Sequence, residues 1–126
     1  MFEKVVEIGY MFDFYGKLLS KKQRSAIELY YIHDLSLSEI GEQLKISRQG
    51  VYDTLKRAEK KLYNFEEKLR LVDKFKQKNA KVKSILNHLE VINKEIEKCN
   101  RLDLQKSVKE IEKIISDILE SSQEVK

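Results

Sequence analysis

The chain has 126 residues, of which 37% are charged and 41% are hydrophobic, with no proline, no tryptophan and four glycines. A chain of this length buries a little under about 70% of its unfolded surface, enough for one modest core but not for a large second enzyme domain. The composition predicts helices with charged outer faces and no strands. The net charge of +4 permits a polyanionic partner without requiring one.

Two helices are predicted before residue 32. Over residues 2–19, apolar side chains recur at helical spacing, at Val5, Ile8, Phe12, Tyr15 and Leu19. A second helix over residues 21–31 begins after Ser20, with Ile27 and either Tyr30 or Tyr31 directed inward. We expect both helices to pack against the segment that follows them.

The segment from Leu37 to Leu62 is typical of two short helices joined by a tight turn. Ser36 and Glu39 form a capping-box pattern, which places Leu37, Ile40 and Leu44 on one inward stripe. Ile46 closes the corner, and Ser47 is the predicted N-cap of the second helix. Its inward face is formed by residues spaced by four, three and four positions, Val51, Leu55, Ala58 and Leu62.

Two residues near the turn bear on how closely these helices approach. Gly41 lies in mid-helix, where glycine costs roughly 1 kcal/mol against alanine, so we expect backbone to pass close to it. Lys45 stands where helix-turn-helix units often have a glycine in the left-handed conformation, so the tightness of the turn is an open question. Close helix crossing is what a helix-turn-helix requires.

The outer face of the second helix predicts binding to nucleic acid, because the early residues of such a helix enter the major groove. Arg48 can pair with guanine and Gln49 with adenine, while Ser47 can bind a phosphate at the helix start. Arg57, four residues after Asp53, can neutralise that carboxylate. The full candidate set is Ser47, Arg48, Gln49, Tyr52, Asp53, Lys56, Arg57, Lys60 and Lys61.

The wider segment from Leu18 to Leu62 resembles region 4 of bacterial sigma factors. With its flanks, it resembles the YlxM family of small bacterial proteins, over about residues 2–78. The motifs that carry this resemblance are FDFY at 12–15, KKQR at 21–24, ELYY at 28–31, SLSEI at 36–40, SRQGVYD at 47–53 and EEKL at 66–69. The resemblance implies an all-helical cytoplasmic protein with a sigma-region-4-like helix-turn-helix that acts as a DNA-binding regulator. It also implies a link to the signal recognition particle pathway.

A second basic surface is predicted after the helix-turn-helix. Seven cations and one acid, Asp73, give a net charge of +6 over residues 68–83. This run either contacts a phosphate backbone or an acidic protein, or is simply the solvated face of a long helix. The seven cations are Lys68, Arg70, Lys74, Lys76, Lys78, Lys81 and Lys83.

The composition changes after Phe75, because all eleven aromatic residues lie at or before that position. This predicts a helix-turn-helix domain with a helical extension at 1–75 and a C-terminal helical hairpin at 76–126. Two apolar seams with steps of three and four support the hairpin, with a turn near residues 100–103. We expect the hairpin to form a homodimer, or else to pack on its own first domain. The seams comprise Val82, Ile85, Leu89, Ile92, Ile96 and Cys99, and then Leu104, Val108, Ile111, Ile115 and Ile118.

Two function classes remain. The chain contains no visible nucleophile, paired catalytic carboxylates or phosphate-binding glycine loop, so we predict neither an enzyme nor a cofactor. A lone Cys99 and two distant histidines predict no metal site, and no apolar run is long enough for membrane insertion. We favour a weak DNA-binding regulator, which would need dimerisation or a partner. The alternative is an accessory protein that contacts protein or RNA of the signal recognition particle.

Overall fold

The computed structural model describes residues 2–123 and contains six α-helices with no strand in that range. The all-α fold predicted from the sequence is therefore confirmed. The helices are α1 (Phe2–Tyr15), α2 (Lys21–Ile27), α3 (Leu37–Leu44), α4 (Arg48–Leu69), α5 (Leu71–Cys99) and α6 (Leu102–Gln123). A 3-10 turn at Gly16–Leu18 follows α1, and a single π-helical turn at Glu28–Ile32 follows α2.

The described residues divide into two compact units, and the division falls between Val72 and Asp73. The composition of the chain changes a few residues later, after Phe75. The first unit contains α1 to α4 and the first two residues of α5, and the second contains the remainder of α5 together with α6.

The first unit has a core to which each of α1 to α4 contributes. Two predicted inward residues of α1, Ile8 and Tyr15, are fully buried, whereas Val5 remains 44% exposed and Met11 is buried in addition. A core of this density stabilises each helix mainly through its packed face. The buried residues are Ile8, Met11, Tyr15, Leu19, Ala26, Ile27, Ile40, Val51, Leu55, Ala58, Leu62 and Val72.

The start of α2 is fixed by a reciprocal cap. The hydroxyl of Ser20 accepts a hydrogen bond from the backbone N–H of Gln23, and the Gln23 side chain accepts one from the N–H of Ser20, each at 3.2 Å. Ser20 therefore begins the second helix, as predicted. The α-helical hydrogen-bond pattern ends at Ile27, earlier than the predicted end, and the chain continues as the π-helical turn.

Four residues other than glycine adopt the left-handed conformation within residues 2–123. They are Asp34, Lys45, Arg70 and Asn100, with φ between 53° and 59°. The last three end α3, α4 and α5, and Asp34 follows the π-helical turn. A left-handed residue stops a helix and redirects the chain, although a side chain makes this conformation costlier than it is for glycine.

A buried polar cluster joins α1 to the junction of α4 and α5. The Tyr15 hydroxyl donates a hydrogen bond of 2.6 Å to Glu66 Oε1 and accepts one of 3.0 Å from the backbone N–H of Leu71. The same Glu66 oxygen accepts a bond of 3.0 Å from the N–H of Val72. Tyr15 and Glu66 thus satisfy two amides at the start of α5 that no helical carbonyl can reach.

The second unit is a helical hairpin with a thin core. Among its residues 73–120, only Val82, Leu89, Val108 and Ile115 are buried, and each retains 5 to 9% exposure. Six predicted seam residues remain exposed, because the contacting face of α5 is centred on Val82, Leu86 and Leu89 rather than on the full alternating pattern. The exposed seam residues are Ile85, Ile92, Cys99, Leu104, Ile111 and Ile118.

Candidate nucleic-acid interface

The first helix of the predicted helix-turn-helix is fixed at its start by a capping box. Ser36 Oγ accepts a hydrogen bond of 3.1 Å from the Glu39 backbone N–H, and Glu39 Oε1 accepts one of 3.0 Å from the Ser36 N–H. These bonds favour the charged carboxylate and lower the pKa of Glu39. The predicted capping pair is present, and it begins α3 at Leu37.

The turn between α3 and α4 is tight although it lacks a glycine at its bend. Lys45 itself adopts the left-handed conformation, with φ of 59° and ψ of 43°. Its backbone N–H is directed to the carbonyl of Gly41, and the N–H of Ile46 donates to the same oxygen at 3.0 Å. The open question that Lys45 raised is therefore answered, since a lysine closes this turn.

Gly41 is required by the close approach of the turn. A Cβ atom at this position would lie 2.8 Å from the backbone oxygen of Ile46 and 3.6 Å from the backbone nitrogen of Arg48. The first distance is well inside van der Waals contact, and a backbone atom has little freedom to move away. The backbone approach predicted from this glycine is present, and the approaching segment is the turn itself.

The second helix begins at Ser47, as predicted. Ser47 Oγ accepts a hydrogen bond of 2.9 Å from the N–H of Gly50, which caps α4. The helix continues past Asn64 to Leu69, so the recognition helix is unbroken. The predicted inward residues are all buried, namely Val51, Leu55, Ala58 and Leu62.

The outward face of α4 carries most of the candidate residues. Helical spacing groups Gln49, Asp53, Lys56 and Lys60 opposite the buried stripe. All nine candidates have exposed side chains: Ser47, Arg48, Gln49, Tyr52, Asp53, Lys56, Arg57, Lys60 and Lys61. Since this surface lies open within the first unit, its side chains are available to a groove.

Two contacts organise this face. Gln49 Nε2 donates a hydrogen bond of 3.1 Å to Asp53 Oδ1. Lys56 Nζ lies 5.4 Å from the centre of the Tyr52 ring, within the range of a cation–π contact. Residues 2–123 contain no ion pair between Asp53 and Arg57, so the pairing predicted from their spacing is not formed. Asp53 instead orients Gln49, the side chain predicted to contact adenine.

Lys61 differs from the other candidates. Its Nζ donates a hydrogen bond of 3.2 Å to Gln23 Oε1 at the start of α2. One residue along a helix rotates the side chain by about 100°, so Lys61 lies on the flank of α4 that faces α2, whereas Lys60 points outward. By the same spacing, Arg48 and Tyr52 lie toward the opposite side of the outward face.

Sequence reasoning did not include Lys45 among the candidates. The residue is exposed and lines a shallow depression together with Ser47 and Arg48, next to the start of α4. A cation there adds to the partial positive charge of the helix N-terminus. The sequence placed Lys45 at the turn, but the left-handed conformation that brings it beside the start of α4 is seen only in the structure.

An ion pair with a buried carboxylate supports α4 on its inner side. Lys4 Nζ lies 2.8 Å from Glu59 Oε1, and Glu59 is only 7% exposed. The hydrogen bond to Glu59 raises the pKa of Lys4. Burial, together with the nearby Glu59 charge, raises the pKa of Tyr31. Glu59 therefore joins α1 to the inner side of α4, a role that sequence reasoning missed because the residue falls beside the apolar stripe.

The cations of the second basic surface are divided between the two units. Lys68 and Arg70 belong to the first unit, and Arg70 ends α4 in the left-handed conformation. The other five belong to α5 in the second unit, where Lys74, Lys78 and Lys81 follow one side of the helix. Lys76 and Lys83, seven residues apart, lie on another side. All seven side chains are exposed, and their role stays a prediction.

The structure offers no alternative site of a familiar kind within residues 2–123. No group of three or more histidine, cysteine, aspartate or glutamate side chains there is placed to hold a metal ion. None of the helices in this range combines the length and the apolar content that a membrane-spanning segment requires.

Comparison with known proteins gives a family for this arrangement. Residues 2–102 match a family model, UPF0122, described as "Putative helix-turn-helix protein, YlxM / p13 like". The match extends past residue 78, where the resemblance recognised in the sequence ends, and reaches the start of α6. Similar relatives include UPF0122 proteins of Bacillus cereus strain AH187, Bacillus anthracis strain A0248 and Bacillus thuringiensis subsp. konkukian strain 97-27. Each is 48% identical over 99 residues, which cover 76% of this chain and 90% of the relative.

Proposed function

This chain belongs to the UPF0122 family of YlxM/p13-like proteins, and we propose that it binds duplex DNA through the outward face of α4. The observation that carries the proposal is the geometry around the turn. Gly41 and the left-handed Lys45 hold α3 against the start of α4, so that Ser47, Arg48 and Gln49 project from the end of a rigid helix pair. A helix-turn-helix presents the same part of its second helix to the major groove.

The side chains of this face divide into two chemical groups. Arg48 and Gln49 stand at the tip, where they can read base edges through paired hydrogen bonds. Lys56, Arg57 and Lys60 follow along the helix, where they can neutralise phosphates without regard to sequence. The bond from Gln49 to Asp53 uses one donor of the amide and fixes its orientation, which favours a defined contact over a mobile one.

The proposal includes a regulatory role and excludes catalysis. A protein that contacts bases at a few positions and carries few phosphate contacts binds weakly as a single unit. We propose that it regulates by occupying particular sites on the chromosome, in the cytoplasm of a bacterial cell, with dimerisation or a partner to strengthen its binding. Asp53 adds to the weakness, because a carboxylate near the groove repels phosphates.

The test is a titration of the full chain with a labelled DNA duplex and, separately, with a structured RNA, over a range of salt concentrations. For DNA we expect the logarithm of the binding constant to fall with the logarithm of salt concentration, with a slope of about 0.9 for each neutralised phosphate. A steep dependence with RNA and none with DNA would overturn the proposal and support the alternative role in the signal recognition particle pathway.

Neighbouring lysines provide a matched control. We expect Lys60→Gln to reduce the salt slope for DNA by about one phosphate contact, because Lys60 points outward. Lys61→Gln should change the slope less, since Lys61 lies toward α2 and donates to Gln23. Equal effects of the two changes would place the DNA elsewhere than on the outward face of α4.

A further inference from the structure

The hairpin of α5 and α6 leaves a row of apolar side chains uncovered. Ile85 and Ile92 on α5 are 48% and 49% exposed, and Ile111 and Ile118 on α6 are 42% and 39% exposed. Each pair is separated by seven residues, the spacing of a continuous helical stripe. Scattered exposed apolar residues are ordinary, but a regular row of isoleucines indicates a contact surface.

The four isoleucines share one side of the hairpin. Each follows a buried residue by three positions, namely Val82, Leu89, Val108 and Ile115. Because α5 and α6 run in opposite directions and pack through those buried residues, the same offset turns both pairs to the same side. We call this side the isoleucine face.

A groove near the connecting turn supports this placement. It has a volume of about 330 Å³ and is lined by Ile92 and Cys99 of α5 and by Leu104 of α6. Apolar side chains from the two helices therefore border a common surface. The isoleucine face continues along the hairpin from this groove.

Charged residues border the isoleucine face with opposite signs. On its α5 edge, Lys74 and Lys81 are spaced by seven residues, and on its α6 edge, beyond the exposed Ile114, Glu110 and Asp117 have the same spacing. All four charged side chains are exposed. The basic edge of one hairpin therefore complements the acidic edge of another.

We propose that a second copy of this chain covers the isoleucine face, with α5 of one copy lying on α6 of the other. A two-fold axis parallel to the helices produces this pairing twice, and it brings Lys81 of each copy near Asp117 of the other. The product is an antiparallel four-helix bundle whose centre contains the isoleucines of both copies. This pairing does not depend on DNA binding, although it would present two α4 helices to a two-fold site.

The first test is the mass of the full chain in solution, measured by sedimentation over a range of concentrations. We expect a dimer for the wild type and at least a tenfold weaker association for Ile111→Glu. The matched control is Leu102→Glu, also on α6, where the leucine is 65% exposed and lies away from the isoleucine face. Helix content, measured by circular dichroism, is the check that both variants fold.

A charge exchange tests the arrangement of the helices. Lys81→Glu places like charges beside Asp117 of the other copy, so we expect a several-fold weaker dimer. Adding Asp117→Lys should restore the association. A wild-type monomer, equal dimerisation of the Ile111→Glu and Leu102→Glu variants, or no rescue by the second charge change would each overturn the proposal. DNA binding by the Ile111→Glu monomer is scored separately, so either proposal can fail alone.

Discussion

Each of the two units of this protein is stabilised internally in a different way. The first has a core in which eight residues are completely buried, and capping boxes, the Lys4–Glu59 ion pair and the Tyr15–Glu66 cluster fix its helices. The second has four buried residues, all still partly accessible, and exposed isoleucines on one side. Asn93 also leaves its side-chain oxygen buried in the hairpin without a hydrogen-bond partner within residues 2–123. The first unit therefore encloses its apolar residues more fully than the second, which leaves a row of isoleucines exposed.

The largest expected effect comes from removing matched core isoleucines, one in each unit. We expect Ile27→Ala to lower the free energy of unfolding of the first unit by about 2 to 5 kcal/mol, because full packing surrounds this residue. Ile115→Ala should cost less, since the hairpin core can close around the smaller side chain. Amide hydrogen exchange measures the two units separately. An equal loss of unfolding free energy in both units would contradict the difference in packing between their cores.

A second pair of variants tests the turn of the helix-turn-helix. Gly41→Ala should destabilise the first unit by about 1 to 3 kcal/mol, because its Cβ would meet the carbonyl oxygen of Ile46. Gly9→Ala is the control, since nothing lies within 4 Å of a Cβ at that position in α1. For Gly9→Ala we expect the free energy of unfolding to rise by about 0.5 to 1 kcal/mol, because alanine has the higher helix propensity. Thermal unfolding compares the two, and a Gly41→Ala protein as stable as wild type would contradict the close approach.

A third expected effect, similar in size to that of Gly41→Ala, concerns the buried Tyr15 hydroxyl. Burial and the bond to Glu66 raise the pKa of Tyr15 to about 12. Because the neutral phenol is favoured in the folded state, its stabilising contribution is complete below the ordinary value of about 10 and declines as the pH rises toward 12. Tyr15→Phe should lower the free energy of unfolding by about 1 to 3 kcal/mol at neutral pH, because Glu66 and the Leu71 amide each lose a hydrogen-bond partner.

The pH dependence of unfolding provides the check on Tyr15. We expect the Tyr15→Phe variant to lose less stability than wild type between pH 10 and pH 12. Tyr31 and Tyr63, whose pKa values are also raised, remain in both proteins and provide the common background. Identical alkaline unfolding curves would show that the Tyr15 hydroxyl does not hold the start of α5.

Much of the first unit could be predicted because its signals are local. Ser36 with Glu39, Ser47 as an N-cap and the spacing from Val51 to Leu62 each act within one or two helical turns. Gly41 also indicated a close approach of backbone, because a glycine in mid-helix is itself a local signal. The bond between Tyr15 and Glu66 joins residues 51 positions apart, and no local pattern encodes such a pairing.

The hairpin shows where periodicity stops being informative. The steps of three and four predicted a seam through Ile85 and Ile92, but an amphipathic helix with a broad apolar face can satisfy that pattern in two rotations. The structure buries Val82 and Leu89 and leaves the isoleucines outside. The sequence placed Lys45 and Asn100 at turns, but it did not establish that either would be left-handed, because glycine is the residue that usually marks such positions.

The central claim is that Arg48 and Gln49, at the tip of α4, read base pairs. Selection of binding sites from a pool of random DNA duplexes tests this claim most directly. We predict that the wild-type chain enriches one sequence pattern, and that the Arg48→Ala and Gln49→Ala double variant retains weak binding to DNA while that pattern disappears. Enrichment of the same pattern by the double variant, or of none by the wild type, would contradict the account.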